Sequence, residues 1–147
     1  MGNLVGESWC KRVSAIAKTH GHGSKETPLS KALSVGGVGK DSQEAHVQMS
    51  VPVALATGQL AVYTAPVVVG LELPALLGLE TLERFGALID VKHRKIILCG
   101  PGGYQIKLSP SSVAHTLEKA LSGHLLWPCT EWDQQQKSKS SAAVIQL

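Results

Sequence analysis

The chain has 147 residues, enough for one domain with its own core and hardly for two. Its 44% apolar content excludes wholesale disorder, and 4% aromatics beside abundant Val, Leu and Ala point to a core of small aliphatic side chains. A net charge of +3, carried by scattered basic residues without interleaved aromatics, argues against a nucleic-acid partner.

Cys10, Cys99 and Cys129 are odd in number, far apart and without Cys-x-x-Cys spacing, which suits reduced thiols in an intracellular protein. The N-terminus has no charged segment followed by an apolar one, so no secretory signal is read. Gly6 stands where a myristoylation motif needs Ser or Thr. The most apolar stretch, 60–79, is broken by Pro66, Gly70, Glu72, Pro74 and Gly78, which excludes a membrane helix, and no membrane partner is expected.

Ser8 is predicted to cap a helix over 9–19, with Trp9, Val13, Ile16 and Ala17 as its buried stripe and His20-Gly21 as its end. The polar segment 22–31, with Pro28, reads as a loop, and 33–40 is Gly-rich between hydrophobic residues. Over 45–55 the chain alternates, with Val47, Met49, Val51 and Val53 on one face of a half-buried strand. Thr57-Gly58 supplies a turn. A second strand over 60–69 has the β-branched density of a sheet interior, with Pro66 at an edge or bulge.

The apolar run 73–77 reads as a buried strand ending at Gly78. Leu79, Leu82 and Phe85 then share one face of a short helix, with Glu80, Glu83 and Arg84 on the other. Gly86 ends that helix where positive φ is wanted, and 87–91 returns to a strand. Lys92-His93-Arg94-Lys95 is a charged hairpin tip, Ile96-Ile97-Leu98 pairs back, and 100–103 turns into 104–108. Ser109-Pro110 reads as the start of a helix closed by Gly123, with Val113, Leu117 and Leu121 at i, i+4 and i+8 docking on the sheet. The polar, low-complexity tail 133–147 is expected to be disordered. These elements imply a mostly β domain with one small helix tucked under the sheet.

Leu76-Leu77-Gly78, the Leu-rich helix, Gly86 and Ile89-Asp90 together resemble the C-terminal half of retropepsin-like aspartic proteases, and most closely the protease segment of retrotransposon polyproteins. The resemblance covers 2–98. It implies a mainly β, retropepsin-like acid-protease barrel, incomplete at its N-terminus, with a short helix after the Leu-Leu-Gly strand and one added helix near each end. The implied organisation is a retropepsin-like domain over 1–108 without its first strands and catalytic turn, a C-terminal helix and extension over 109–132, and the tail. Val35, Gly36, Gly37, Val38 and Gly39 would form a flap whose glycines permit close approach to substrate. Leu76, Leu77 and Gly78 would wall the groove. The implied partners are a peptide or polyprotein substrate and a second copy in a homodimer, with no cofactor and no metal.

An aspartic protease needs two carboxylates sharing one proton, because like charges so close cannot both ionise. In the family each chain of a homodimer supplies one Asp, in an Asp-Thr/Ser-Gly-Ala turn. Here Asp41 precedes Ser42-Gln43, Asp90 precedes Val91-Lys92 and Asp133 precedes Gln134-Gln135, so none carries the motif. Gly2-Asn3-Leu4-Val5-Gly6 resembles the segment directly downstream of that turn, which implies a chain beginning just past the catalytic Asp. No catalytic residue is therefore assigned. The expectation is an aspartic endopeptidase segment inactive as written; the alternative is a non-catalytic peptide-binding or dimerisation module on the same fold.

Three other chemistries are weaker. Gly39-Lys40 echoes a phosphate-binding loop, but Ser34 stands where its first Gly belongs and Asp41 where its hydroxyl belongs. Cys10, His20 and His22 are too few for zinc, and the remaining Cys and His do not come in pairs. Cys10 as a nucleophile has no local support, and a buried thiol on an amphipathic helix fits it better.

Overall fold

The alternation of Val47, Met49, Val51 and Val53 places one strand at the centre of the molecule's main sheet. The structure, a computed structural model, describes residues 2–36, 42–56, 58–110, 112 and 114–129. The chain divides into two units, 1–105 and 106–147.

In the first unit β1 (Val5–Gly6), β2 (Lys25–Val35), β3 (Gln43–Ala54) and β4 (Leu60–Val68) form a sheet of order β1-β4-β3-β2. The β2–β3 and β3–β4 pairs are antiparallel, and β1 lies parallel to β4. Helix α1 (Glu7–Thr19) covers one face. There Cys10, Trp9 and Val13 meet Val5, Val47, Met49, Val51, Val53, Tyr63, Ala65 and Val67. Val5, Val51 and Val68 are fully buried, and each such side chain stabilises the fold by about 1.5–3 kcal/mol.

The other face of β3 and β4 carries Gln48, Ser50, Thr64 and Pro66, and the Ser50 and Thr64 hydroxyls bond across it at 2.9 Å. One apolar and one polar face are what strict alternation produces. Pro66 stands opposite Gln48 at the end of the β3 ladder, one residue before β4 takes β1 as its partner. A residue without an N–H is tolerated at such a changeover.

Several expectations are corrected. Helix α1 starts at Glu7, with Gly6 rather than Ser8 at its N-cap, and Ile16 is exposed. The loop expected over 22–31 is largely strand β2. This edge strand is exposed along most of its length, so no apolar face marks it, and it holds by its backbone ladder to β3. Pro28 fits because the register shifts between Pro28 and Leu33. The run 73–77 is extended but not a buried strand, since its ladder reduces to one bridge between Leu76 and Leu4.

Helix α2 (Leu79–Arg84) contains no buried residue and lies beside β5 rather than under the main sheet. Phe85 is exposed, with the Arg84 guanidinium 5.0 Å above its ring. Gly86 ends the helix at φ +53°, as the sequence implies. Strands β5 (Ala87–Asp90) and β6 (Lys95–Leu98) form a separate hairpin around the turn 91–94. Among the described residues the sheets are open and no closed barrel forms.

Among its described residues the second unit has no helix where one is expected from Ser109 to Gly123. Its described residues are irregular apart from a small hairpin of β7 (Glu118–Lys119) and β8 (Leu125–Leu126). Leu117 and Leu121 are exposed, and a helix this short needs tertiary packing. The His115 and Trp127 rings meet at a tilt of 56°, their centroids 5.0 Å apart. The tail 133–147 lies outside the described residues.

Candidate functional site

The N-terminal segment runs between two others. On one side Val5 and Gly6 pair with Val67 and Val68 of β4. On the other, Leu4 and Leu76 exchange both backbone bonds, at 3.2 and 2.9 Å, and the Gly6 amide donates to the Leu73 carbonyl at 3.0 Å. The space is tight. A Cβ on Gly6 would stand 2.5 Å from the Leu71 carbonyl oxygen and 2.7 Å from the Leu73 nitrogen.

Two side chains fasten this crossing. The Tyr63 hydroxyl lies 2.9 Å from the Leu4 carbonyl oxygen and 2.8 Å from that of Leu76, sharing its single proton between them. Trp9 meets the Tyr63 ring edge-on, with centroids 5.6 Å apart. Burial pushes the phenol up to about 12, outweighing the opposing pull of the two carbonyl bonds. Asn3 joins β4 to the start of α2: its Nδ2 donates to the Thr64 carbonyl at 3.1 Å, while its Oδ1 accepts from the Gly78 amide at 2.9 Å and the Thr81 hydroxyl at 2.8 Å. Gly78 is the N-cap of α2, and Asn3 takes its amide proton from a distance, the part that a Glu or Gln at the third helical position plays in a capping box and that Thr81 does not.

The residues named from the sequence fall in two places. Leu76, Leu77 and Gly78 lie together at the crossing, with Leu76 and Leu77 exposed and Gly78 buried. Val35 ends β2 opposite Gln43 and Gly36 follows it, while Gly37, Val38 and Gly39 lie outside the described residues. The Ser34 and Ser42 hydroxyls, 2.6 Å apart, tie the strands of this hairpin together near its end. Among the described residues no hydrogen bond links Val35 or Gly36 to Leu76–Gly78. Asn3, Tyr63 and Thr81 carry the crossing, and sequence reasoning assigned none of them a role.

Asp90 ends β5, where its carboxylate accepts from the His93 amide at 3.0 Å and meets His93 Nδ1 at 2.7 Å. These bonds, the side-chain one first, hold its carboxyl below the usual carboxylate range. It is a turn residue. Asp41 and Asp133 lie outside the described residues. Cys10 is buried against Val5, Val51 and Val67, where burial and then the Glu7 charge raise its thiol. His20 caps the C-terminus of α1, and both His20 and His22 are exposed. Among the described residues no three His, Cys, Asp or Glu gather as a metal would need, and no helix is long and apolar enough to cross a membrane.

A shallow recess of about 130 Å³ opens between α1 and the 72–74 segment, lined by Trp9, Arg12, Glu72 and Pro74. It is well below the size of a pocket that encloses a drug-sized ligand. Comparison of the chain with family models, with curated proteins and with solved structures gave no match.

Proposed function

We propose that the chain is a segment of a retropepsin-like aspartic endopeptidase of retrotransposon origin, inactive as it stands because it carries no Asp-Thr/Ser-Gly motif. One observation carries the reading. The segment 3–6 threads between β4 and residues 76–78, of which Leu76 and Leu77 are exposed, and Asn3 is tied to Gly78. The reading puts the aspartate of the motif ahead of this segment in sequence, with a second copy supplying the other carboxylate of the pair. The expected substrate is a peptide or polyprotein segment held in extended form, with Val35 to Gly39 as the flap.

The exposure of Leu76 and Leu77, together with the lack of the motif, favours a second reading as well. The same wall can serve a non-catalytic peptide-binding or dimerisation module.

The test is a peptide-library cleavage assay at mildly acid pH, with a transition-state inhibitor of aspartic proteases as control. The chain is compared with a variant extended ahead of Gly2 by a strand and Asp-Thr-Gly-Ala. Inhibitor-sensitive cleavage by the extended variant alone supports the protease reading. Cleavage by the unextended chain would overturn the statement that it lacks a catalytic Asp. Peptide binding without cleavage by a folded extended variant selects the binding module.

A further inference from the structure

We propose that Asn3 is the positioning residue of the groove wall: its carboxamide fixes Leu77 and so selects which apolar peptide side chains the wall accepts. The proposal rests on the peptide groove put forward above.

The wall has little else to hold it. Leu76 and Leu77 are 41% and 50% exposed, so burial alone does not set their position. Leu76 is anchored by its two backbone bonds to Leu4 and by the Tyr63 hydroxyl. Those anchors stop at Leu76. Beyond it the next fixed points are the Gly78 amide and the Thr81 hydroxyl, and both donate to Asn3 Oδ1. Leu77 is therefore bracketed, with Tyr63 and Leu4 on one side and Asn3 on the other.

The third bond gives the bracket its reference. Asn3 Nδ2 donates to the Thr64 carbonyl of β4, the strand whose Ala65 and Val67 lie in the core. A carboxamide is planar and offers an acceptor and a donor on one rigid group, so it can join a donor-rich helix start to a strand carbonyl. Aspartate offers only acceptors and would face the Thr64 carbonyl with a second oxygen. Alanine offers neither bond.

Three variants of the full chain separate these contacts: Asn3→Ala, Asn3→Asp and Thr81→Val, with Thr81→Ser as the conservative control. Amide exchange is read at Gly78 and Leu77, with Val51 and Ala65 reporting on the integrity of the sheet. Binding is read with extended peptides differing only in the size of one apolar side chain. Asn3→Ala should speed exchange at Gly78 by about tenfold, the scale of one lost hydrogen bond, while the sheet amides hold. It should also change the preference between large and small side chains by about the same factor. Asn3→Asp should keep Gly78 protected yet still alter the preference. Thr81→Val should fall between, and Thr81→Ser should match the parent. In a Leu77→Ala background Asn3→Ala should alter the preference no further.

Unchanged Gly78 exchange in Asn3→Ala would overturn the proposal, as would faster exchange with an unchanged peptide preference. Failure of the parent chain to bind any peptide would overturn the groove itself and the selection assigned to Asn3. The Gly78 result would still decide, separately, whether Asn3 holds the wall.

Discussion

Gly6 is pressed against Leu73: its amide donates to the Leu73 carbonyl at 3.0 Å, and a Cβ at the same place would sit 2.8 Å from that oxygen. The neighbour is backbone and cannot swing aside as a side chain would. Gly6→Ala should therefore destabilise the fold by about 1–3 kcal/mol, the range of an overpacked core. A lowered urea midpoint with an unchanged slope is the expected result; a midpoint equal to the parent's would mean that the crossing is looser than these distances.

Tyr63→Phe removes a hydroxyl shared by two carbonyls and should cost about 1 kcal/mol. It should also change the alkaline behaviour. The folded phenol is pushed up to about 12, above its ordinary 10.0, so the fold favours the protonated form. That contribution is fully present below pH about 10 and is lost as pH rises through about 12. Unfolding midpoints measured from neutral to strongly alkaline pH should fall less steeply in Tyr63→Phe than in the parent.

Val51 and Val62 lie on adjacent strands, one fully buried and the other 64% exposed. Val51→Ala should cost about 2 kcal/mol, whereas Val62→Ala should stay within about 0.5 kcal/mol of zero. Equal losses in chemical denaturation would contradict the assignment of α1 to the Val51 face.

The three thiols should react at different rates with a disulfide reagent at mildly alkaline pH. Cys129 is exposed and Cys99 half-buried, while Cys10 is buried and its thiol raised by burial and by Glu7. Thiolate attack on the reagent needs both ionisation and access, so Cys10 should label last, on the timescale of unfolding. Peptide mapping of a time course would identify the slow site.

Asp90 should couple the β5–β6 hairpin to acid. Its folded carboxyl titrates below the ordinary range, so the turn is supported above that ordinary value and loses support as pH falls through the folded one. Asp90→Asn should abolish this acid dependence, read as protection of the His93 amide.

The strands legible in the sequence are those with two different faces. Val47 to Val53 alternate because one side of β3 meets α1 and the other meets solvent, and Gly86 marks the end of α2 because its φ is positive. Strand β2 has no such contrast, being exposed on both faces, so its polar residues read as a loop. The stripe of Val113, Leu117 and Leu121 has the helical period, yet Leu117 and Leu121 are exposed and the described part of that segment is not helical. At the candidate site, Leu76 to Gly78 stand out as an apolar run closed by a glycine. Asn3, Tyr63 and Thr81 do not, because their bonds join positions 61, 59 and 78 residues apart, which no local pattern encodes.

Those separations also order events during synthesis. Asn3 is made 78 residues before its partner Thr81, an interval of about 4–16 s at roughly 5–20 residues per second. Helix α1, with 13 residues, gains its stability from packing, so Val5, Trp9 and Cys10 must wait for β3 and β4 to cover them. For those seconds the nascent chain presents an uncovered apolar segment next to an unpaired strand, the kind of surface that chaperones bind. Residues 3–10 are thus translated well before the strands and helix that secure them.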